Sequence, residues 1–388
     1  MPTRRTKRGT QRTRLSGDYD VLICGASFAG LAVARELAGV RTGSRPARVL
    51  MLDRYEIGER QTSACAAPTE WLCVLGLEDS IRQTFSDLVV NTPYTRVRYP
   101  LPYTFSTFDY RTLSELLDEQ NDVEFETAKV SGPARSADGS IVVETDRGEL
   151  SAPLVVDALG WRRVLDPNGY QPPDAALSRG LEVHPFGTGE DLEIWIERSV
   201  VPAGYGWSFP ADGEVRVGVG SFDPRYHVKQ PTVDLSDRLD RDAVRFQGNW
   251  IPHKLRVAAA GSVFYAGDSA GHCLPLTAEG IRTAFYFGIA CGRELRHVLE
   301  GQATREAALR SYASFSARHD YAFRWMLRAQ RFVPRVPPPI LSLALRGMAS
   351  RRFLDWSFGH YLNIAHPSFA RGEQSASAAA AKPLARAA

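Results

Sequence analysis

Through the first 55 residues, apolar runs that stop at glycine alternate with apolar positions at helical spacing. "YDVLICG" (19–25) is a continuous apolar run closed by Gly25, the pattern of a parallel strand buried on both faces. In "FAGLAVARELAG" Leu31, Ala34, Leu37 and Ala38 share one helical face, and Gly39 is placed to stop the helix. "ARVLMLDR" is a second strand, so residues 19–54 are expected to form a strand–helix–strand unit. "RTLSELLDEQ" predicts a short helix, and "DVEFETAKVSG", "SIVVETDRGELSA" and "PLVVDALG" predict strands separated by turns. From about 176 to 260 the period changes to two: "LEIWIER" and "EVRVGVGSF" predict antiparallel strands with one wet face. The strand "VFYAG" then leads into a helix opening at Glu279-Gly280. A helical region rich in arginine and aromatic residues runs to about 333, where "VPRVPPP" breaks it. The amphipathic stretch "ILSLALRGMASRRFLDWSFGHYL" precedes an Ala-rich tail.

Composition narrows this picture. A chain of 388 residues is long enough for two or three domains, and 44% hydrophobic with 23% charged residues is ordinary for a globular protein. The formal net charge of +3 gives no electrostatic case for nucleic acid, and none is expected as a partner. Five cysteines (Cys24, Cys65, Cys73, Cys273, Cys291) without CxxC spacing point to a reducing, cytoplasmic setting and to no metal site. The basic N-terminal arm superficially resembles a twin-arginine export signal. Asp18 and Asp20 crowd its apolar run, so a solvated tail is expected instead. No apolar run reaches the roughly 18 residues that span a bilayer.

Chemistry enters at two glycine-bearing turns. "CGASFAG" places Gly25, Ser27 and Gly30 at the spacing of the GxGxxG dinucleotide fingerprint. Gly25 permits the tight turn and Gly30 lets the helix close on the sheet. Ser27, Phe28 and Ala29 present backbone N–H groups of the helix start to a pyrophosphate. Asp53, followed by Arg54 at the end of the second strand, is placed to accept from a ribose hydroxyl. The second turn is "AGDSAGHCLPLTAEGI". Gly267 and Asp268 end a strand, where the carboxylate can accept from ribityl hydroxyls. Ala278, Glu279, Gly280 and Ile281 bring backbone N–H groups and a helix N-terminus to the pyrimidine edge of a flavin, and Pro275 stiffens the connection on the ring's flank. His272 reads as a hydrogen-bonded turn histidine.

Together, "CGASFAG", Asp53 and "GDSAGHCLPLTAEGIRTAFYFG" resemble the glutathione-reductase-type FAD fold of the hydroxybenzoate-hydroxylase superfamily. Within it, "YGWSFPADGEVRVGVG" (205–220) and "PLTAEGI" are similar to the YxWxFP…VGxG and PxxGEGI signatures of the geranylgeranyl reductase family. The resemblance covers residues 18 to about 300. It implies an α/β (α+β) architecture: a Rossmann-like FAD-binding domain, an inserted antiparallel substrate domain and a C-terminal helical region. The expected boundaries are 18–83, 108–175 and 261–310 for the FAD domain, 84–107 and 176–260 for the substrate domain, and 311–370 for the helical region. Residues 1–17 and 371–388 are expected to be disordered tails.

The implied reaction is saturation of isoprenoid C=C bonds by hydride from reduced FAD, with NAD(P)H or another reductant as electron source. Tyr205, Trp207 and Phe209, alternate residues of one strand, would form an apolar wall for a prenyl chain, with Tyr205 and Trp207 at the reacting end. Cys65 matches a family cysteine that either supplies a proton or fills space. Arg60 and Arg111 are flavin-contact candidates, Arg111 shifted by one position from the superfamily pattern. Two departures stand out. "VVDALGWRR" has Leu159 and Arg163 where hydroxylases carry the aspartate and serine of GADGxxS, and Ala278 replaces a family glycine. A monooxygenase or halogenase is the first alternative function, and a redox-neutral, cyclase-like flavoprotein the second. Aromatic and arginine residues over 312–335, continued by 340–361, predict peripheral contact with the inner face of an anionic membrane.

Overall fold

A computed structural model describes residues 13–61, 63–137, 139–171, 177–252 and 254–372. The outermost parts of both expected tails, 1–12 and 373–388, lie outside the described residues. Residues 13–18, assigned largely to the N-terminal tail from sequence, are tied down: Leu15 N–H donates to Arg147 O (2.7 Å), and Gly17–Asp18 pairs in parallel with Leu150 and Ser151.

The core is a six-stranded sheet in the order Ala259–Ala260, Val263–Tyr265, Leu154–Asp157, Val21–Cys24, Val49–Asp53, Glu124–Thr127. All its pairs are parallel except the first. Helix α1 (Phe28–Glu36) follows the Val21–Cys24 strand and ends where Gly39 takes φ +65°. It is buried nearly all round, because α2 (Thr69–Val74), α3 (Tyr110–Glu119) and α5 (Ile281–Leu299) add layers to the sheet.

Helix α5 (Ile281–Leu299) crosses α1 at close range through Gly288 and Gly292. A Cβ on Gly288 would stand 2.7 Å from Ala29 O, and one on Gly292 would stand 2.6 Å from Glu36 Cβ. A smaller four-stranded sheet (Gly17–Asp18, Gly148–Ala152, Ser140–Thr145, Arg135–Ala137) flanks this unit.

The second large sheet has eight strands in the order Gln247–Ile251, Ser178–Val183, Val215–Ser221, Gly204–Pro210, Leu192–Trp195, Ile81–Thr92, Thr95–Phe108, Ala66–Pro68. It departs from the expected all-antiparallel pattern with one wet face in two ways. Leu192–Trp195 runs parallel to Ile81–Thr92, so the sheet is mixed. Val215–Ser221 is buried along almost its whole length. Helix α4 (Lys229–Arg238) covers the face of Val215, Val217 and Val219, while the opposite, glycine-bearing face holds an aromatic ring described below.

Four helices close the chain: α6 (Arg305–Ala317), α7 (Asp320–Phe332), α8 (Pro338–Gly347) and α9 (Arg351–Asn363). The expected aromatic surface of 312–335 divides in two. Tyr312, Phe323 and Met326 point into the core, whereas Tyr321, Trp325 and Phe332 are exposed. Positions 312, 316, 319, 323, 326 and 330 recur at helical spacing, and that stripe packs inward.

Candidate active site

Three stretches far apart in the chain come together around the N-terminal ends of α1 and α5. Gly25 takes φ +112°, and a Cβ there would stand 2.2 Å from Ala158 O. A Cβ on Gly30 would fall 1.8 Å from Gly25 O, so helix and strand are as close as backbone allows. Asp53 Oδ2 accepts from Ala26 N–H (2.9 Å) and Oδ1 from Tyr55 N–H (3.0 Å), which holds the turn between them. Burial pushes the Asp53 carboxyl up, against these N–H groups, which pull it down. Ser27 is the N-cap of α1, yet its hydroxyl lies 3.4 Å from Tyr110 Oη and caps nothing. Among the described residues, the first-turn N–H groups of Phe28, Ala29 and Gly30 have no side-chain acceptor.

The second stretch meets the first at Gly267 (φ +63°), where a Cβ would stand 2.9 Å from that of Ala29. Asp268 follows in the Gly267–Ala270 turn. Burial alone pushes its carboxyl up to about 6, and among the described residues no protein donor reaches it. Gly280, the N-cap of α5, is adjacent: a Cβ there would lie 3.7 Å from Asp268 Oδ1. Ala278 carries φ +52°, the left-handed conformation that a glycine adopts freely. Ile281 begins α5 and Pro275 is buried, its carbonyl accepting from Gln330.

The third stretch is the Gly204–Pro210 strand. Tyr205, Trp207 and Phe209 lie on one face, all half-buried, with the Tyr205 and Trp207 rings 6.0 Å apart. Tyr205 Oη donates to Thr277 O (2.5 Å), joining this wall to the loop before α5. The same loop is gripped from the C-terminal side. Tyr361 of α9 donates to Glu279 and lies 2.8 Å from the Thr277 hydroxyl. Buried Arg282 binds Glu279 (2.7 Å) and donates to the carbonyls of Tyr361, Leu362 and Ala365 at the end of α9. The Glu279 side chain thus anchors α9, and its backbone faces the turn. Half-buried Tyr103, Phe105 and Phe358 extend the aromatic lining between the sheet and α9.

The remaining candidates sit less centrally. Cys65 is fully buried with φ +51°. Its thiol donates to Ser63 O (3.1 Å), and burial pushes it well above the usual range. Arg54 and Arg60 are exposed, and their guanidinium carbons lie 4.8 and 5.2 Å from the Tyr55 ring centre. Arg111 is exposed on the first turn of α3, against Gly58. His272 is neutral core: burial pushes it well down, it stacks on Phe287 at 3.7 Å and it pairs with Ser316 (3.0 Å). Tyr110, Tyr361, Arg282 and a buried Glu182–His184 pair were not foreseen. Only the last had a local signal, polar residues two apart in the apolar strand "GLEVHP".

No protein-family model matches the chain. Digeranylgeranylglycerophospholipid reductase 3 of Methanosphaera stadtmanae is 22% identical over 355 residues, covering 78% of this chain and 83% of the relative. The digeranylgeranylglycerophospholipid reductase of Haloferax volcanii is 25% identical over 224 residues, 53% of this chain and 54% of the relative. Among solved structures, a geranylgeranyl bacteriochlorophyll reductase-like protein from Thermoplasma acidophilum superposes with a TM-score of 0.74 at 15% identity, covering 92% of this chain and 98% of that one. In sequence and fold the chain resembles the geranylgeranyl reductases, and these likenesses support an FAD-dependent oxidoreductase of that kind.

The fold is shared more widely. The flavin-dependent brominase Bmp2 superposes with a TM-score of 0.61 (14% identity; 92% and 98% of the two chains). The Diels-Alderase PyrE3 superposes at 0.62 (17% identity; 89% and 80%). The same architecture therefore carries differently named activities. The residues present do fit FAD. Uncapped α1 N–H groups and the Gly25–Gly30 turn suit a pyrophosphate, and the donorless Asp268 carboxyl suits a polyol.

Proposed function

We propose that this protein reduces C=C bonds of an isoprenoid lipid, drawing electrons from NAD(P)H or another reductant. The observation that carries the reading is the aromatic wall of Tyr205, Trp207 and Phe209, bound through Tyr205 to the Thr277–Gly280 loop. Gly25, Ser27, Phe28, Ala29 and Gly30 would hold the FAD pyrophosphate and Asp53 the adenosine ribose. Gly267 and Asp268 would hold the ribityl chain, and Pro275, Ala278, Glu279, Gly280 and Ile281 the flavin edge. Arg54, Arg60 and Arg111 are peripheral contacts at most, because all three are exposed. Bound by these residues, FAD in its reduced form would supply the hydride. The wall presents apolar faces that exclude water and align a prenyl chain along the strand. The Cys65 thiol, bonded to Ser63 O and held protonated by burial, supports the space-filling reading over the proton-donating one.

The departures at 157–163 support a reductase over a hydroxylase. Asp157 is fully committed to Leu159 N–H, Leu165 N–H and Ser269 Oγ. Arg163 donates to Asp166, Val257 O and Ser269 O. Both brace the loop internally.

We divide the chain into an FAD unit (18–83, 108–175, 261–310), a substrate unit (84–107, 176–260) and a helical unit (311–370). No helix among the described residues is long and apolar enough to cross a membrane. Peripheral docking on the inner membrane face would use the exposed Tyr321, Trp325, Phe332, Ile340, Leu343 and Trp356, interspersed with Arg324, Arg328, Arg331 and Arg346. The function is tested by mass spectrometry of product formed anaerobically from dithionite-reduced protein and a digeranylgeranyl phospholipid. A gain of two hydrogens per double bond is expected. Gain of one oxygen in air, or an isomer of unchanged mass, would replace this reading with the monooxygenase or the cyclase.

A further inference from the structure

Trp207 rests in a built seat. Its indole crosses from its own strand over the two neighbouring ones. A Cβ on Gly218 would stand 2.2 Å from Cζ2, one on Gly220 3.4 Å from Cζ3, and one on Gly180 3.7 Å from Cη2. Gly218 is the register partner of Trp207, and Gly220 that of Gly180, so the glycines form a flat bed that side chains would destroy. At the edge of the bed, the indole Nε1–H donates to Glu182 Oε2 (3.1 Å).

Glu182 is almost wholly buried and is itself supported. Its Oε1 lies 2.9 Å from His184 Nε2 and accepts from Gln247 Nε2 (2.6 Å). His184 Nδ1 faces Glu214 at 3.6 Å, and Glu214 is paired with Arg216 (3.0 Å) and Arg245 (3.5 Å). Arg216 carries the chain on to the carbonyls of Ala64 and Cys65 (2.9 and 3.1 Å). A carboxylate and an imidazole buried in a strand are costly unless fully partnered, and an indole used only as core filler would not need them. The opposite face of the same strands is a plain valine and leucine core under α4.

We propose that Glu182 is a positioning residue of the substrate slot: by accepting the Trp207 indole N–H, with His184 and Gln247 behind it, it pins the ring flat on the glycine bed and so sets the depth available to a prenyl chain. This rests on the proposal that Trp207 lines that slot. With the ring pinned, its free face is a rigid platform. Unpinned, it can swing into the slot and shorten it.

The experiment uses full-length holoenzyme with indole-15N tryptophan, Trp207→Phe to assign the Nε1–H signal, and geranylgeranyl diphosphate as probe. Glu182→Leu, which removes the acceptor at similar volume, is expected to shift the Trp207 signal upfield. It should raise KM for the probe about tenfold or more, the equivalent of one lost hydrogen bond, while kcat stays within about threefold. Glu182→Gln, which retains a neutral acceptor oxygen, is expected to move the signal less and to keep KM within about threefold of the parent. An unmoved indole signal in Glu182→Leu, or in Glu182→Gln should the leucine variant fail to fold, overturns the proposal. So does a Glu182→Leu enzyme with unchanged KM. The indole signal is read without substrate, so a parent protein that reduces no isoprenoid defeats the proposed function and leaves this result standing.

Discussion

Replacing Asp268 by asparagine isolates one charge at the point where two distant motifs meet. The carboxyl has no protein donor among the described residues, is desolvated, and titrates at about 6 without a ligand. A ribityl hydroxyl donating to it would bond to the ionised form, worth about 1.5–3 kcal/mol, while an asparagine oxygen keeps about 0.5–1.5 kcal/mol of that. The difference, about 1–2 kcal/mol, weakens FAD binding about five- to thirtyfold. The pH dependence has a definite sign. Ligand donors lower the carboxyl below its ligand-free value of about 6, so binding releases a proton at lower pH and affinity falls as pH drops through 6. Stability of the FAD-free protein runs the other way: its carboxyl is raised above the unfolded value, so it gains relative stability on acidification through the same window. Titration of FAD-free protein by flavin fluorescence between about pH 5 and about pH 8 reads both affinity and slope. Equal affinities for parent and Asp268→Asn, with the same pH slope, would refute this placement of Asp268.

Other consequences are equally direct. Gly30→Ala puts a Cβ 1.8 Å from a backbone oxygen that cannot rotate away, so denaturant unfolding should show a loss of about 3 kcal/mol or more. Ala278→Gly relieves a left-handed alanine and should raise stability by up to about 1 kcal/mol, after the greater freedom of glycine in the unfolded chain is subtracted. Burial pulls His184 down, but bonds and charges from Glu182 and Glu214 outweigh it and leave the imidazole raised. Its stabilisation is therefore complete below the unfolded value of about 6.5 and lost as pH rises through the folded one. Urea midpoints should fall across that range in the parent and stay flatter in His184→Asn. Sedimentation with anionic vesicles should be salt-sensitive and should drop in Trp325→Ala/Phe332→Ala; equal binding to neutral vesicles removes the membrane proposal.

What could be read from sequence depended on how local its cause is. Gly25, Ser27 and Gly30 are legible because a turn between strand and helix must satisfy its own backbone within six residues, and Tyr205, Trp207 and Phe209 because strand alternation is a nearest-neighbour property. The glycines at 218 and 220 were legible as a motif, but their cause was not. They are small because an indole from the neighbouring strand lies on them. The parallel pairing of Leu192–Trp195 with Ile81–Thr92, and the grip of Tyr361 on Glu279, join residues about 80 to 100 positions apart, and no local pattern announces such partners. The inward stripe of α6 and α7 was present in the spacing of residues 312 to 330, but the count of aromatics and arginines obscured it.

These contacts bear on how one fold serves several chemistries. In the proposed function the six-stranded sheet, the α1 turn and Asp268 serve to hold a dinucleotide, and proteins named as brominase and Diels-Alderase share the architecture. What can differ without disturbing that unit is the face of the eight-stranded sheet opposite α4. In this chain it carries three glycines, one flat indole and a polar pair behind it. A change there would alter slot depth with the least effect on the dinucleotide turns; Arg216 and the Tyr205–Thr277 bond are two of the contacts that reach from this face toward the FAD unit. Those two links are where a change in the slot would be felt by the cofactor. Tyr205→Phe, which cuts one of them, should therefore shift the flavin spectrum of the holoenzyme, whereas Phe209→Leu in the same wall should leave it in place.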